Sequence, residues 1–479
     1  MSAAARASSG PGDSGPDDLL GLATSIIEQA RPGEGLEAYV VRGTDTEVRA
    51  YDGEVESLTS ADSSGVGVRV LLDESSAPGP DDGGSNDAPG RRVGFAWVGS
   101  LDPDVVAATL ADARDNARFA TPDPYVVLAE PDGVAAVELD LWDHGVASTP
   151  MEKKVEMAIE LERATRAADP GVRQVSSADY SDSRSELALA STSGIASSRR
   201  RSTAFLSVDA IAGEGADTQT GTGFSVGRGP GDLVPDEAMD EAVLRAIRML
   251  GSSKAKSGRC TVVFDPRVVS TLLALVSSAV SGEAVVKGRS FFAGRIGESV
   301  AAPGVTLVDD PTDARAFGAA SYDAEGLACR RNVLISDGVL RMFVYDTVSG
   351  RRAGTASTGS AVRGGLAGTP GAGCRALVLS PGHSNADEIL AQVGDGLYVQ
   401  SVTGIHSGVN PVSGDFSVGA EGLMIEGGAL GQPVREVTVA STLQRMLQSI
   451  VAIGGDVRWL PGTAAGQTLA IAEMSLSGE

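Results

Sequence analysis

The chain has 479 residues, 42% of them hydrophobic and 21% charged. That composition belongs to a folded globular protein, and the length calls for two or three domains. Its 63 acidic residues against 39 basic ones give a formal charge of −24, which excludes nucleic acid and anionic lipid as natural partners.

In chain order, residues 1–16 are Ser-, Gly- and Ala-rich with no apolar segment of a signal peptide, and read as a disordered tail. Leu19, Leu22, Ile26, Ile27 and Ala30 recur at helical spacing behind Asp17 and Asp18, so a first helix is expected from Asp18. Strand-like runs follow at 37–42, 46–51, 53–59 and 65–72. The segment 73–92 holds Pro, Gly, Asp and Ser with almost nothing apolar, and reads as a mobile insert inside a hairpin that pairs 65–71 with 93–98. Asp102 is the expected cap of a helix carrying Val105, Val106, Leu110 and Ala113. These elements form a first domain, 17–125.

A central α+β domain, 126–251, opens on Thr149, Pro150 and Glu152, the pattern of a capping box, ahead of a helix with Val155, Ala158, Ile159 and Leu161. Strand-like runs at 172–180, 185–191 and 203–212 follow, then a helix from Pro235 that stops at Gly251. GTGFSVGRG at 221–229 lacks the lysine and the spacing of a phosphate-binding loop and reads as a turn. The third domain, 258–479, begins with a strand at Cys260–Phe264 and a helix capped by Asp265, then turns to short β runs. Asp337-Gly338 between apolar runs predicts a hairpin, and the spacing predicts a late helix from Leu443 to Ile453. The fold class is therefore α+β, an N-terminal mixed α/β region followed by a β-rich C-terminal domain.

Candidate chemistry is sparse. The three histidines, His144, His383 and His406, sit in no paired metal-ligand spacing, and no GxSxG elbow marks a nucleophilic serine. Three cysteines with no CxxC pair point to a reducing, cytoplasmic setting. No run reaches the ~18 apolar residues of a membrane span. Two segments stand out. Residues 404–420 gather His406, Asn410, Ser413, Asp415, Phe416 and Ser417 among four glycines and a proline, a composition suited to gripping another chain or an extended peptide. Residues 345–363 hold six small hydroxyl side chains and, with Arg363, three arginines. They read singly as a solvated loop and together as a surface for strand addition.

Several blocks resemble the TldD/PmbA family: GVGVRVLL at 65–72 with VGFAWVGSLD at 93–102, STSGIASSRRRS at 191–202, SFFAGRIGESVAAPGVTLVDDP at 290–311, YDTVSGRRAGTASTGSAVRG at 345–364, and the 404–420 segment. In TldD-type members of that family a helix ahead of the SFxxGRIG block carries HExxxH, whose histidines bind zinc, and a late cysteine completes the ligands. Here Ser277 and Ser278 stand at the first histidine and the glutamate, Gly282 at the second histidine, and Ala464 at the cysteine. Hydroxyls, a hydrogen and a methyl cannot replace imidazole and thiolate as zinc ligands. The resemblance therefore implies a PmbA (TldE)-like subunit with no metal of its own, a TldD-like partner that holds the zinc, and unfolded peptide as substrate. In that reading His406, Asn410, Ser413, Asp415, Phe416, Ser417 and Arg363 contact peptide or partner. The alternatives are a standalone peptide-binding scaffold and, from the residues alone, a metal-independent hydrolase using His406.

Overall fold

The computed structural model of the chain describes residues 16–73 and 90–479. The expected N-terminal tail, except Pro16, and the expected insert, except its ends, lie outside the described residues. At those ends Asp73 pairs with Arg91 at 2.7 Å, and Arg92 already belongs to a strand.

Six antiparallel strands build the first sheet: β1 (Glu34–Tyr51), β2 (Glu54–Leu72), β3 (Arg92–Val98), β4 (Val172–Ser191), β5 (Ala196–Ala212) and β6 (Gln219–Gly227), in the order β3-β2-β1-β4-β5-β6. The sheet is continuous across the segments read as first and central domains, because β1 pairs with β4 over Glu37–Ala50. Four short expected strands are in fact two long ones, β1 and β2, joined by the turn Asp52-Gly53, where both residues have positive φ. Strand β3 pairs with β2 in the expected place, Val98 opposite Val66 and Val93 opposite Leu71.

Side chains alternate between the faces of a strand. On β1, the even-numbered Leu36, Ala38, Val40, Val48 and Ala50 are buried under four helices, Pro16–Ile27, Pro103–Phe119, Met151–Ala168 and Pro235–Ile247. Asp102 caps the second of these, accepting from the amides of Asp104 and Val105. Pro150, not Thr149, is the cap of the third, and no side-chain hydrogen bond forms there, so the expected capping box is absent. GTGFSVGRG is not a turn: residues 221–227 run in β6, and Gly223 lets the helix Pro235–Ile247 lie on the strand, since a Cβ there would sit 1.8 Å from the Ala238 carbonyl oxygen.

The odd face of β1 is covered only at its start. Tyr39 meets Ala129, Leu189, Ile195 and Leu327, so the C-terminal unit docks on that end of the sheet. In that unit Gly258–Phe264 lies centrally in a second six-stranded sheet, parallel to Gly396–Thr403 on one side and antiparallel to Leu469–Ser477 on the other. Asp415–Glu426 and Ala429–Thr442 extend it, and the last also pairs with Leu469–Ser477, which curls the sheet back on itself. The helix Pro266–Ala279 fills the interior with Val268, Val269, Leu272, Leu273 and Val276. A smaller four-stranded sheet contains the expected hairpin, with Asp337 and Gly338 both at positive φ, as a tight turn of that handedness requires. The expected late helix stops at Gln448, and Ile450–Ile453 is a strand paired with Leu469–Ile471. The α+β class holds throughout, with strands dominating the C-terminal unit.

Candidate functional site

The helix Pro266–Ala279 is started by Asp265, whose carboxylate accepts from the Arg267 amide at 2.9 Å. Its other end delivers Ser277 and Ser278 to the wall of a cavity of about 500 Å³, whose lining also includes Ser281, Glu283, Lys287 and Cys374.

Gly282, next on the chain, is buried and donates its amide to the Val344 carbonyl at 2.7 Å. A Cβ at Gly282 would lie 2.1 Å from Cδ1 of Tyr345 and 2.8 Å from the Val344 oxygen, so this backbone accepts no side chain without moving its neighbours. Ala464 is 3% exposed, with its carbonyl taken by the Ser270 hydroxyl at 2.7 Å. Cys374 is the thiol nearest to Ser277. Burial pushes its pKa well up, Asp309 adds to the push, and the hydrogen bond with Ser277 only partly offsets them. Burial therefore favours the neutral thiol in the metal-free chain. Glu283 is half-exposed and ion-paired with Lys287 one helical turn on. Among the described residues no three His, Cys, Asp or Glu side chains are grouped to hold a metal. Ser277, Ser278, Gly282 and Ala464, the positions that the resemblance assigns to the zinc site, offer no imidazole, carboxylate or thiolate to a metal.

The second candidate, 404–420, resolves into parts with different duties. Gly404 takes positive φ and leads into a single helical turn, Ile405–Gly408, on which His406 is exposed. Asn410 Oδ1 accepts from the amides of Val412 (2.9 Å) and Ser413 (3.2 Å), and its own amide donates to the Asp415 carbonyl. The Ser413 hydroxyl donates to Asp415 Oδ2 at 2.7 Å. Asn410, Ser413 and Asp415 therefore satisfy one turn, the ordinary use of such residues. The strand Asp415–Glu426 then alternates, Ser417 outward and Phe416 inward, and Phe416 is 1% exposed in the main C-terminal core.

Two expected contact residues are thereby corrected. Phe416 is a core residue, because strand alternation turns it inward. Arg363 is interior as well: its side chain is 2% exposed, bonded to Glu37 at 2.7 Å and stacked 4.4 Å from the centre of the Tyr39 ring. The rest of 345–363 is a solvated loop only in part, since residues 351–356 are exposed. Asp346 caps a helix at Thr347–Ala353, and Ser349 and Ser360 are buried. Sequence reading missed Cys374, which carries no spacing signal. The Glu283–Lys287 pair was legible from its i, i+4 spacing.

Comparison with known proteins places this architecture. Residues 36–117 match PmbA/TldA metallopeptidase domain 1, residues 145–250 the central domain, and residues 257–478 the C-terminal domain. The chain belongs to the PmbA/TldD metallopeptidase family. The metalloprotease PmbA of Escherichia coli O157:H7 is 26% identical over 461 residues, covering 96% of this chain and 95% of that protein. A metalloprotease TldD homolog of Haemophilus influenzae is 30% identical over 377 residues, 75% of this chain and 76% of that one. The crystal structure of TldE from Thermococcus kodakarensis superposes with a TM-score of 0.82 at 22% identity, over 96% of this chain and 99% of that one, and shows the shared fold. Since PmbA/TldD relatives of both kinds resemble the chain, its role within the family rests on its own residues.

Proposed function

We propose that this chain is the subunit without a catalytic zinc in a two-subunit PmbA/TldD-type metallopeptidase. A TldD-like subunit supplies the metal and the base, and the substrate is unfolded peptide. The observation that carries this reading is Gly282: the backbone at the second histidine position is sealed by Tyr345 and Val344 against any side chain. Ser277, Ser278 and the buried Ala464 support it, since metal-assisted hydrolysis needs a coordinated water and a base, and none of these residues provides either. The exposed His406 and Ser417, beside the self-satisfied Asn410 turn, form the surface that this reading turns toward peptide or partner.

The test is co-expression with a TldD-like subunit, followed by metal analysis and a peptide-cleavage assay on each chain and on the complex. Zinc and cleavage are expected only where the TldD-like subunit is present. Cleavage by this chain alone would defeat the reading.

A further inference from the structure

At the junction of the first sheet with the C-terminal unit, arginines gather with no ion pair to any described residue. Strand β5 carries Arg199, Arg200 and Arg201 in succession, and Arg375 approaches from the C-terminal unit. With Trp142 and Tyr322 they wall a cavity of about 600 Å³. In a chain with 63 acidic residues, arginines find carboxylates readily: Arg69 and Arg363 share Glu37. Here, among the described residues, none of the four is in an ion pair.

A guanidinium has five N–H donors, and the fold uses few of them. Arg199 Nη1 donates to the Tyr322 carbonyl at 2.5 Å, Arg201 Nη2 to that of Phe317 at 2.6 Å, and Arg375 Nη2 to that of Ala361 at 3.1 Å. Nε of Arg375 is buried with no partner. The Arg200 guanidinium makes no hydrogen bond to the described residues and lies 5.1 Å from the centre of the Trp142 ring. The carboxylates nearby form no ion pair with these side chains, although Asp309 and Asp323 act on Arg375 at longer range. Glu138 and Asp140 border the cavity but are exposed. Asp309 and Asp323 are buried behind it and bound to backbone amides. Burial, followed by repulsion from Arg228 and the other arginines, pushes Arg201 down to about 10.

We propose that this cavity is a binding site for an oxyanion-bearing ligand, a carboxylate or phosphate group gripped by the guanidinium forks of Arg199, Arg201 and Arg375, with the exposed Arg200 at the rim adding a fourth positive charge. Planar guanidinium matches such oxygens two at a time, and charge-assisted bonds in a recessed site are the strong ones. The site lies within this chain and does not depend on any partner subunit. Because the chain as a whole repels anions, saturable binding would be a property of this cavity.

The experiment uses the full chain at constant ionic strength, with chloride as the balancing salt. Inorganic phosphate, citrate, a short peptide with a free C-terminal carboxylate, and the same peptide amidated are titrated separately. Binding is read from Trp142 fluorescence, with Trp142→Phe as the blank, and from the rise in Tm that a ligand of the native state produces. Saturable binding of at least one oxyanion is expected, weakened about tenfold or more in Arg201→Met. Arg200→Gln, which removes no bond to the fold, keeps the variant folded and weakens binding in the same direction. A response to the free but not the amidated peptide identifies a peptide terminus as the source, and a response to phosphate or citrate identifies a small anion. The proposal fails if no probe saturates on the wild-type chain, or if folded Arg200→Gln and Arg201→Met bind as the wild type does. Should Arg201→Met not fold, Arg200→Gln decides.

Discussion

Arg363 and Glu37, 326 residues apart in sequence, meet at 2.7 Å with both side chains 2% exposed. Glu37 also accepts from Arg69, its cross-strand neighbour on β2, at 2.7 Å. Burial opposes the Glu37 charge, but the two guanidinium groups outweigh it and hold the carboxyl below its usual range. This triad joins the start of the first sheet to the C-terminal unit, so a residue that reads as a peptide contact is instead part of what fixes the two units together.

Arg363→Met should therefore destabilise the fold by about 1.5–3 kcal/mol, the worth of a buried charge-assisted hydrogen bond, since Arg69 still pairs with Glu37. Urea denaturation measures it. A loss below about 1 kcal/mol, the range of a surface pair, would show that the contact contributes little.

Beside this triad lies Glu325, 1% exposed, with Oε2 accepting from the Thr347 amide and hydroxyl and Oε1 buried without a partner. Burial, then repulsion from Asp323, pushes it up to about 8 from an ordinary 4.5. Between those two values the folded state holds a proton that the unfolded chain has released, so stability falls as pH rises through that window. Glu325→Gln removes this contribution and should flatten the decline in Tm. Asp309, pushed up to about 6 by burial, leaves a smaller slope at the acid end. An unchanged slope in Glu325→Gln would contradict the assignment.

His406 and Asn410 should separate cleanly. Asn410→Ala loses two turn hydrogen bonds and should cost about 1–2 kcal/mol. His406→Ala, exposed, should change stability by less than about 0.5 kcal/mol. In a complex with a TldD-like subunit, His406→Ala should lower peptide affinity or turnover while zinc content stays constant. Unchanged cleavage would remove His406 from the peptide surface.

How legible this was depends on the range of the interaction that decides each element. Local signals read well: Asp102 and Asp265 as caps, and Asp337-Gly338 as a turn, follow from bonds and φ angles within a few residues. The segment 443–453 read as one helix because a short apolar run fits either period. Pairing of Ile450–Ile453 with the strand at 469–477 decides it, and that partner is distant in sequence. The glycines at 221 and 223 read as a turn because their purpose, room for a helix against β6, exists only after packing. Arg363 was invisible for the same reason, whereas Ser277, Gly282 and Ala464 read as a loss of ligand types only through the resemblance, and metal analysis decides that reading.

That loss makes a graft informative. Ser277→His, Ser278→Glu, Gly282→His and Ala464→Cys together restore the ligand types, yet a side chain at 282 must displace the Tyr345 ring. Gly282→Ala alone should cost about 1–3 kcal/mol, as overpacking does. The fourfold variant should be less stable still and take up zinc substoichiometrically. Full zinc loading with unchanged Tm would show that the site accepts the metal after all.

In the proposed complex this chain contributes no zinc centre, and the metal sits in a TldD-like subunit. Metal analysis of the purified single chain after zinc loading and a chelator wash tests it most directly. Zinc well below one equivalent and no peptide cleavage are expected. Zinc near one equivalent that survives the wash would contradict it.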